Sequence, residues 1–393
     1  MPIRRRDILL LPLIAVLASV VLIESTDMAL RKVYTTSNEH LGRCLDYAHA
    51  TAGIPGIPNC SVYDKAYDTP LIQYHFNACG MRSQAGCEAA SPGTYRIALL
   101  GSSIAFGQWV QYEDTIAHQL EIDVSRADGK KIEVANYGRM QEIPPLAARL
   151  LPEVLKKKPR LVVLVVSPYD VGVSTTDPVI AMRVAQKTTE NHLRWWIDYI
   201  RSLFLTNSLS QIADTLQSHL KNRIYGSRAA TFILIFEYQK KQRYIRQYVR
   251  GQDSEIGYLP VHTSEAWRQS YLAFDRSIQQ MSMMTHQVNI PFAVVLLPTH
   301  AQVNMLISGS WPPRYDPYLI DNRVREIVQS EGGIFLDIFS ESTRIPNFGE
   351  HYFFQNGHPD GYGQTVFARL IAEQLTGGAV PELRAKSTTG AAH

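Results

Sequence analysis

Short apolar runs alternate with stretches of helical periodicity along most of the chain. The runs cover residues 97–100, 132–137, 161–166, 291–298 and 333–338. Runs this short match strands and fall below the length of a buried helix. Residues 161–166, Leu-Val-Val-Leu-Val-Val, contain no polar position, as expected for a strand covered on both faces of a parallel sheet. Between the runs, residues 109–120, 145–158 and 364–375 space apolar side chains at the helical interval. Strands separated by helices predict an α/β fold of about five parallel strands with helices on both faces. Sites in such sheets gather at the carboxyl ends of the strands. At those ends the chain carries Gly101-Ser102-Ser103, Gly138 and Ser167-Pro168-Tyr169-Asp170.

The alternation is interrupted between about 171 and 290 by a long insertion, helical by periodicity at 192–222 and 229–250 and rich in Arg, Lys, Trp and Tyr. Two readings stand side by side. The favoured one is a helical lid or subdomain with a packed face. The other is an amphipathic surface at membrane headgroups, where basic residues beside Trp195 and Trp196 would suit the interface. Residues 8–23 are apolar apart from Ser19 and follow Arg4, Arg5 and Arg6, which places the preceding end in the cytoplasm by the positive-inside rule. As a helix the run spans about 24 Å, short of a 30 Å bilayer core but longer than most signal-peptide apolar regions. The expectation is an uncleaved membrane anchor over residues 1–24. The alternative is a signal peptide, with Val16-Leu17-Ala18 as its cleavage site, and either would export the remainder.

Cysteine placement adds to this picture. Cys44, Cys60, Cys79 and Cys87 all precede the first long strand, and no other cysteine occurs. An even, clustered set reads as two local disulfides in an oxidising compartment. Of three connectivities, sequential pairing is expected. No Cys-x-x-Cys pair of the kind zinc sites use is present, so no metal is expected. Residues 25–93, rich in Gly, Pro, Asn and Tyr, then form a stapled, loop-rich collar. At 393 residues, 45% hydrophobic and 19% charged, the chain is long enough for one large domain with insertions or for two. A formal charge of +3 gives little support to a nucleic-acid partner, whose binders carry a strongly basic face.

The strand ends carry a set of blocks in order. Gly101-x-Ser103-x-x-x-Gly107 follows the first strand, Gly138 ends the second, Ser167 to Asp170 ends the third, and Gln355-Asn-Gly-His-Pro-Asp-Gly-Tyr-Gly363 precedes the last helix. Together these resemble the GDSL, or SGNH (Ser-Gly-Asn-His), hydrolases. The segments 76–82 and 92–97 are similar to the lead-in that membrane-anchored GDSL-like proteins carry. The resemblance implies a three-layer α/β/α, flavodoxin-like domain over residues 94–376, followed by a flexible tail over 377–393. It also implies Ser103 as nucleophile, Gly138 as a backbone donor to the oxyanion and His358 as general base, with no cofactor.

Three positions depart from the family. Ser102 stands where the family has aspartate. Tyr169 stands where it has the oxyanion asparagine, and either donates through its phenol or only packs. Asn356 and Gln355 cover the spacings at which the family places its acid, so Asn356 is the expected partner orienting His358, while Asp360 follows the histidine. The function implied is ester hydrolysis, or acyl transfer to an envelope polysaccharide or lipid, at the periplasmic face of an inner membrane. A membrane-bound acyltransferase or a polysaccharide synthesis complex would be its partner. The alternative is a non-catalytic, glycan-binding or assembly protein of such a complex.

Overall fold

The computed structural model describes residues 39–47, 54–65, 69–140, 142–173, 241–251, 253–353 and 357–385, with scattered positions between 14 and 29. The chain divides into two compact units, one of residues 1–36 with 184–240, the other of 37–183 with 241–393. In the first unit the described positions between 14 and 29 are helical. Most of the apolar run and all of residues 192–222 lie outside the described residues. Among the described residues no helix is long and apolar enough to cross a membrane.

The second unit is built on five parallel strands: β3 (Thr94–Gly101), β4 (Lys131–Asn136), β5 (Leu161–Val166), β6 (Phe292–Leu296) and β7 (Ile334–Leu336). Their order is β4-β3-β5-β6-β7. Counted from the sheet's own first strand this is 2-1-3-4-5, the doubly wound order in which the winding direction reverses beside the first strand. Alternate strand residues feed two cores. Ala98, Leu100, Val162, Leu164, Val294 and Leu296 face helices Pro144–Lys156, Glu265–Gln287 and Leu319–Ser330. Ile97, Leu99, Val163, Val165, Ala293 and Val295 face helices Ile116–Asp128 and Gly361–Gln374. Three layers follow from this period-two alternation across a sheet buried on both sides.

Several boundaries differ from the expectations. The helix expected over 109–120 begins at Ile116, because Thr115 caps it, Oγ1 accepting the His118 N–H at 3.3 Å. Helix Glu265–Gln287, counted with the insertion at the sequence level, is the crossover between β5 and β6 and buries Trp267, Tyr271, Phe274, Ile278 and Met281. Burying each large apolar side chain contributes about 1.5–3 kcal/mol before entropy is counted. Residues 377–385 are not a loose tail, since Val380 and Leu383 are fully buried against the second core.

Residues 37–93 of the expected collar belong to the second unit, and residues 25–36 to the first. The collar contains a short antiparallel pair, β1 (Ser61–Asp64) and β2 (Ile72–His75), and two disulfides in the sequential pairing, Cys44–Cys60 and Cys79–Cys87. Leu41, Cys44, Ile72, Tyr74 and Phe76 form a third cluster, into which Phe106 inserts from the α/β domain.

Candidate active site

The carboxyl end of β3 turns sharply at Gly101, whose φ is +146°. A Cβ there would lie 2.4 Å from the Val165 carbonyl oxygen and 2.9 Å from Ala105 Cβ, so only glycine lets β3 pass this close to β5 before the turn. One helical turn, Ser103–Phe106, follows at once and places Ser103 half-buried at the point where the winding reverses. The loop preceding helix Gly361–Gln374 brings His358 over this turn. Ser103 Oγ and His358 Nε2 are 2.7 Å apart, although 255 residues separate them in sequence. That is hydrogen-bond distance between a hydroxyl and the base able to take its proton.

Other predicted residues occupy different roles. Gly138 does pack against the Ser103 turn, and a Cβ there would come within 2.6 Å of the Phe106 nitrogen and 2.7 Å of the Ala105 carbonyl carbon. Its N–H, however, donates to Asn136 Oδ1 at 2.9 Å, while Asn136 Nδ2 donates to the Ala105 carbonyl at 2.9 Å. The expected oxyanion donor is therefore held by the Asn136 side chain, which ties the end of β4 to the turn. The Ser103 N–H lies in the first turn of its helix and has no acceptor within that helix.

Tyr169 turns its hydroxyl away into a chain of hydroxyls. Tyr169 and Tyr248 are 2.6 Å apart, Tyr248 and Tyr258 2.8 Å, and Tyr258 and Thr299 Oγ1 2.9 Å. Burial pushes the phenols of Tyr248 and Tyr258 well above their usual range, so the chain is uncharged at neutral pH. The Tyr169 phenol is hydrogen-bonded to Tyr248, and its side chain is exposed.

Asn356 and Gln355 lie outside the described residues. Asp360 is committed elsewhere: its Oδ1 accepts the Gly363 N–H at 2.7 Å as the helix cap, and its Oδ2 lies 3.2 Å from His351 Nδ1. Ser102, at the family's aspartate position, donates to Asp170 Oδ2 at 3.1 Å. The same oxygen accepts the Ser167 N–H at 2.7 Å and its hydroxyl at 2.8 Å. The carboxyl group at this junction thus comes from β5's end rather than β3's, and joins the Ser103 turn to the third block. Among the described residues no cluster of His, Cys, Asp and Glu is arranged to hold a metal ion.

Two more residues that the sequence reading gave no role complete the surroundings. Arg82 of the collar is fully buried, its guanidinium against the stacked rings of Tyr74 (4.5 Å) and Phe106 (5.7 Å). Its guanidinium donates to the carbonyls of Gly107 and, at 2.6 Å, Val110. Burial lowers its pKa to about 10, so it stays charged at neutral pH and clamps the loop after Ser103. Trp109, in that loop, has a left-handed backbone (φ +65°) and meets the His358 ring edge to face, with centroids 4.6 Å apart. Such strain costs of order 1–3 kcal/mol. Its Nε1 is buried without a hydrogen-bond partner among the described residues, a further cost of about 1–3 kcal/mol.

No family model matches the sequence, and no curated protein does. Solved structures similar to the chain are GDSL/SGNH lipases, acylhydrolases and esterases, the group that the sequence blocks resemble. TesA is 9% identical, with 72% of this chain on 98% of that one and a TM-score of 0.38. A lipase/acylhydrolase from Enterococcus faecalis is 12% identical, with 72% of this chain on 96% of that one and a TM-score of 0.38. A mutant of Axe2, an acetyl-xylooligosaccharide esterase from Geobacillus, is 12% identical, with 73% on 95% and a TM-score of 0.36. The likeness is one of fold alone.

Proposed function

We propose that the protein is a serine-dependent acyl-ester enzyme, an esterase or O-acyltransferase, held at the outer face of a membrane and acting on an envelope polysaccharide or lipid. The observation that carries the chemistry is the 2.7 Å approach of Ser103 Oγ to His358 Nε2 at the carboxyl edge of the sheet. His358 Nε2 takes the hydroxyl proton as Oγ bonds to the acyl carbonyl carbon, and the carbonyl electron pair moves to oxygen beside the Ser103 N–H. Collapse of that intermediate breaks the ester C–O bond, and His358 returns the proton to the departing alcohol. Water or an acceptor hydroxyl then repeats the steps on acyl-Ser103. Water gives hydrolysis and an acceptor gives transfer.

Support for the outer-face setting comes from the clustered disulfides and the arginine-led apolar run. A second reading, a non-catalytic glycan-binding or assembly protein on this fold, is favoured by one observation: the Gly138 N–H is taken by Asn136. A fluorophosphonate probe distinguishes the two. Wild type should label at Ser103, and Ser103→Ala and His358→Ala should lose the label. No labelling from acidic to alkaline pH would remove the catalytic reading and leave the second.

A further inference from the structure

We propose that Trp109 is a positioning residue for His358, pinned by the collar through Tyr74. The inference rests on the assignment of Ser103 and His358 as nucleophile and base. The backbone of Trp109 is left-handed, φ +65°, which for a bulky L residue is an outlier. Strained residues persist where their surroundings over-determine them, and they gather at functional sites. Here the surroundings are specific. The Trp109 N–H donates to the Tyr74 hydroxyl at 2.8 Å, and Tyr74 is itself fully buried beneath the Arg82 guanidinium.

The indole stands at 84° to the imidazole of His358, edge against face. Its Nε1 is buried with no acceptor among the described residues, whereas buried tryptophan N–H groups normally find one. A residue chosen for stability alone would shed both costs: glycine would make the turn without strain, and a smaller apolar side chain would leave no orphan donor. Both are retained at the side chain that walls the catalytic imidazole. The loop carrying His358 passes through Gly357, left-handed at φ +71° with nothing within 4 Å of its Cβ position, so it is lightly packed on that side. In serine hydrolases the acid both orients the histidine and offsets its charge. The indole, edge to face with His358, restricts that ring beside its other contacts and adds no charge.

The test compares wild type, Trp109→Phe, Trp109→Ala and Tyr74→Phe by turnover of an activated acetate ester and by NMR of the His358 imidazole. Trp109→Ala should lower kcat about tenfold or more with KM within about twofold. It should also remove the ring-current shift from the imidazole protons. Trp109→Phe keeps a wall and should recover most of kcat, and Tyr74→Phe should move both readouts in the same direction by less. The proposal is overturned if the alanine variant keeps kcat within about twofold and the His358 resonances do not move. A loss confined to KM also overturns it, since that marks a substrate contact. Should wild type neither turn over ester nor label at Ser103, the catalytic assignment fails, and the NMR comparison still decides whether Trp109 holds the ring. Should Trp109→Ala not fold, unchanged His358 resonances in Tyr74→Phe and Trp109→Phe overturn the proposal.

Discussion

Asp170 shows how a single residue couples two blocks of the site. Its carboxyl is fully buried, and burial pushes it up to about 6 against the opposing pull of the Ser167 and Ser102 donors. Because the folded value lies above the unfolded one near 3.9, the folded state holds the proton where the unfolded chain has lost it. The stability due to this group is complete below the unfolded value and is lost as pH rises through about 6. Asp170→Asn does not titrate, so the melting temperature of wild type relative to this variant should fall between about pH 4 and 6.5 and then level off. Calorimetric curves that run parallel over that window would show that the carboxyl does not titrate as described. At this scale the sequence was partly legible. Ser103 and His358 stand in recognisable blocks, and Asp170 closes the third of them. Its bond to Ser102 required β3 and β5 to be neighbours. Trp109 gave no signal, since nothing local distinguishes a left-handed tryptophan from one on a helix.

At the scale of elements, legibility followed hydrophobic period. The strand at 161–166 was plain because every residue is buried on one face or the other. The division between insertion and crossover helix was hidden, because helical periodicity precedes and continues through Glu265–Gln287. Only Ser264, whose Oγ accepts the Trp267 N–H at 3.3 Å, marks the start. The collar defied period reading for another reason: disulfides and one buried arginine hold it more than a repeating apolar face does. Cys44–Cys60 spans a separation of 16 residues, and closing a loop of that length contributes about 3 kcal/mol by the chain-entropy argument. The paired change Cys44→Ala with Cys60→Ala should therefore lower stability by about 3 kcal/mol in urea unfolding. A loss under about 1 kcal/mol would mean that the Leu41, Ile72 and Phe76 cluster holds the collar without the bond.

For the whole molecule, the collar links the compartment to the chemistry. Cys44–Cys60 closes the loop that leads into β1, Tyr74 of the paired strand β2 holds the Trp109 backbone, and Cys79–Cys87 brackets Arg82, which clamps the loop after Ser103. On the proposed function, the Ser103 site draws support from disulfides that form and persist in oxidising surroundings. This support, more than the arginine-led apolar run alone, is why the sheet-containing unit is expected outside the cytoplasm. Reporter fusions at residue 40 and at residue 385 should both report export, and thiol labelling of the intact protein without reductant should find no free cysteine. Reductant should then expose the four thiols and weaken probe labelling at Ser103 together, as the collar loosens its hold on the turn. Free thiols at Cys44 or Cys79 in the protein taken from cells, with labelling at Ser103 undiminished, would break the link between compartment and site. In that case Arg82 and Tyr74 hold the turn by packing alone.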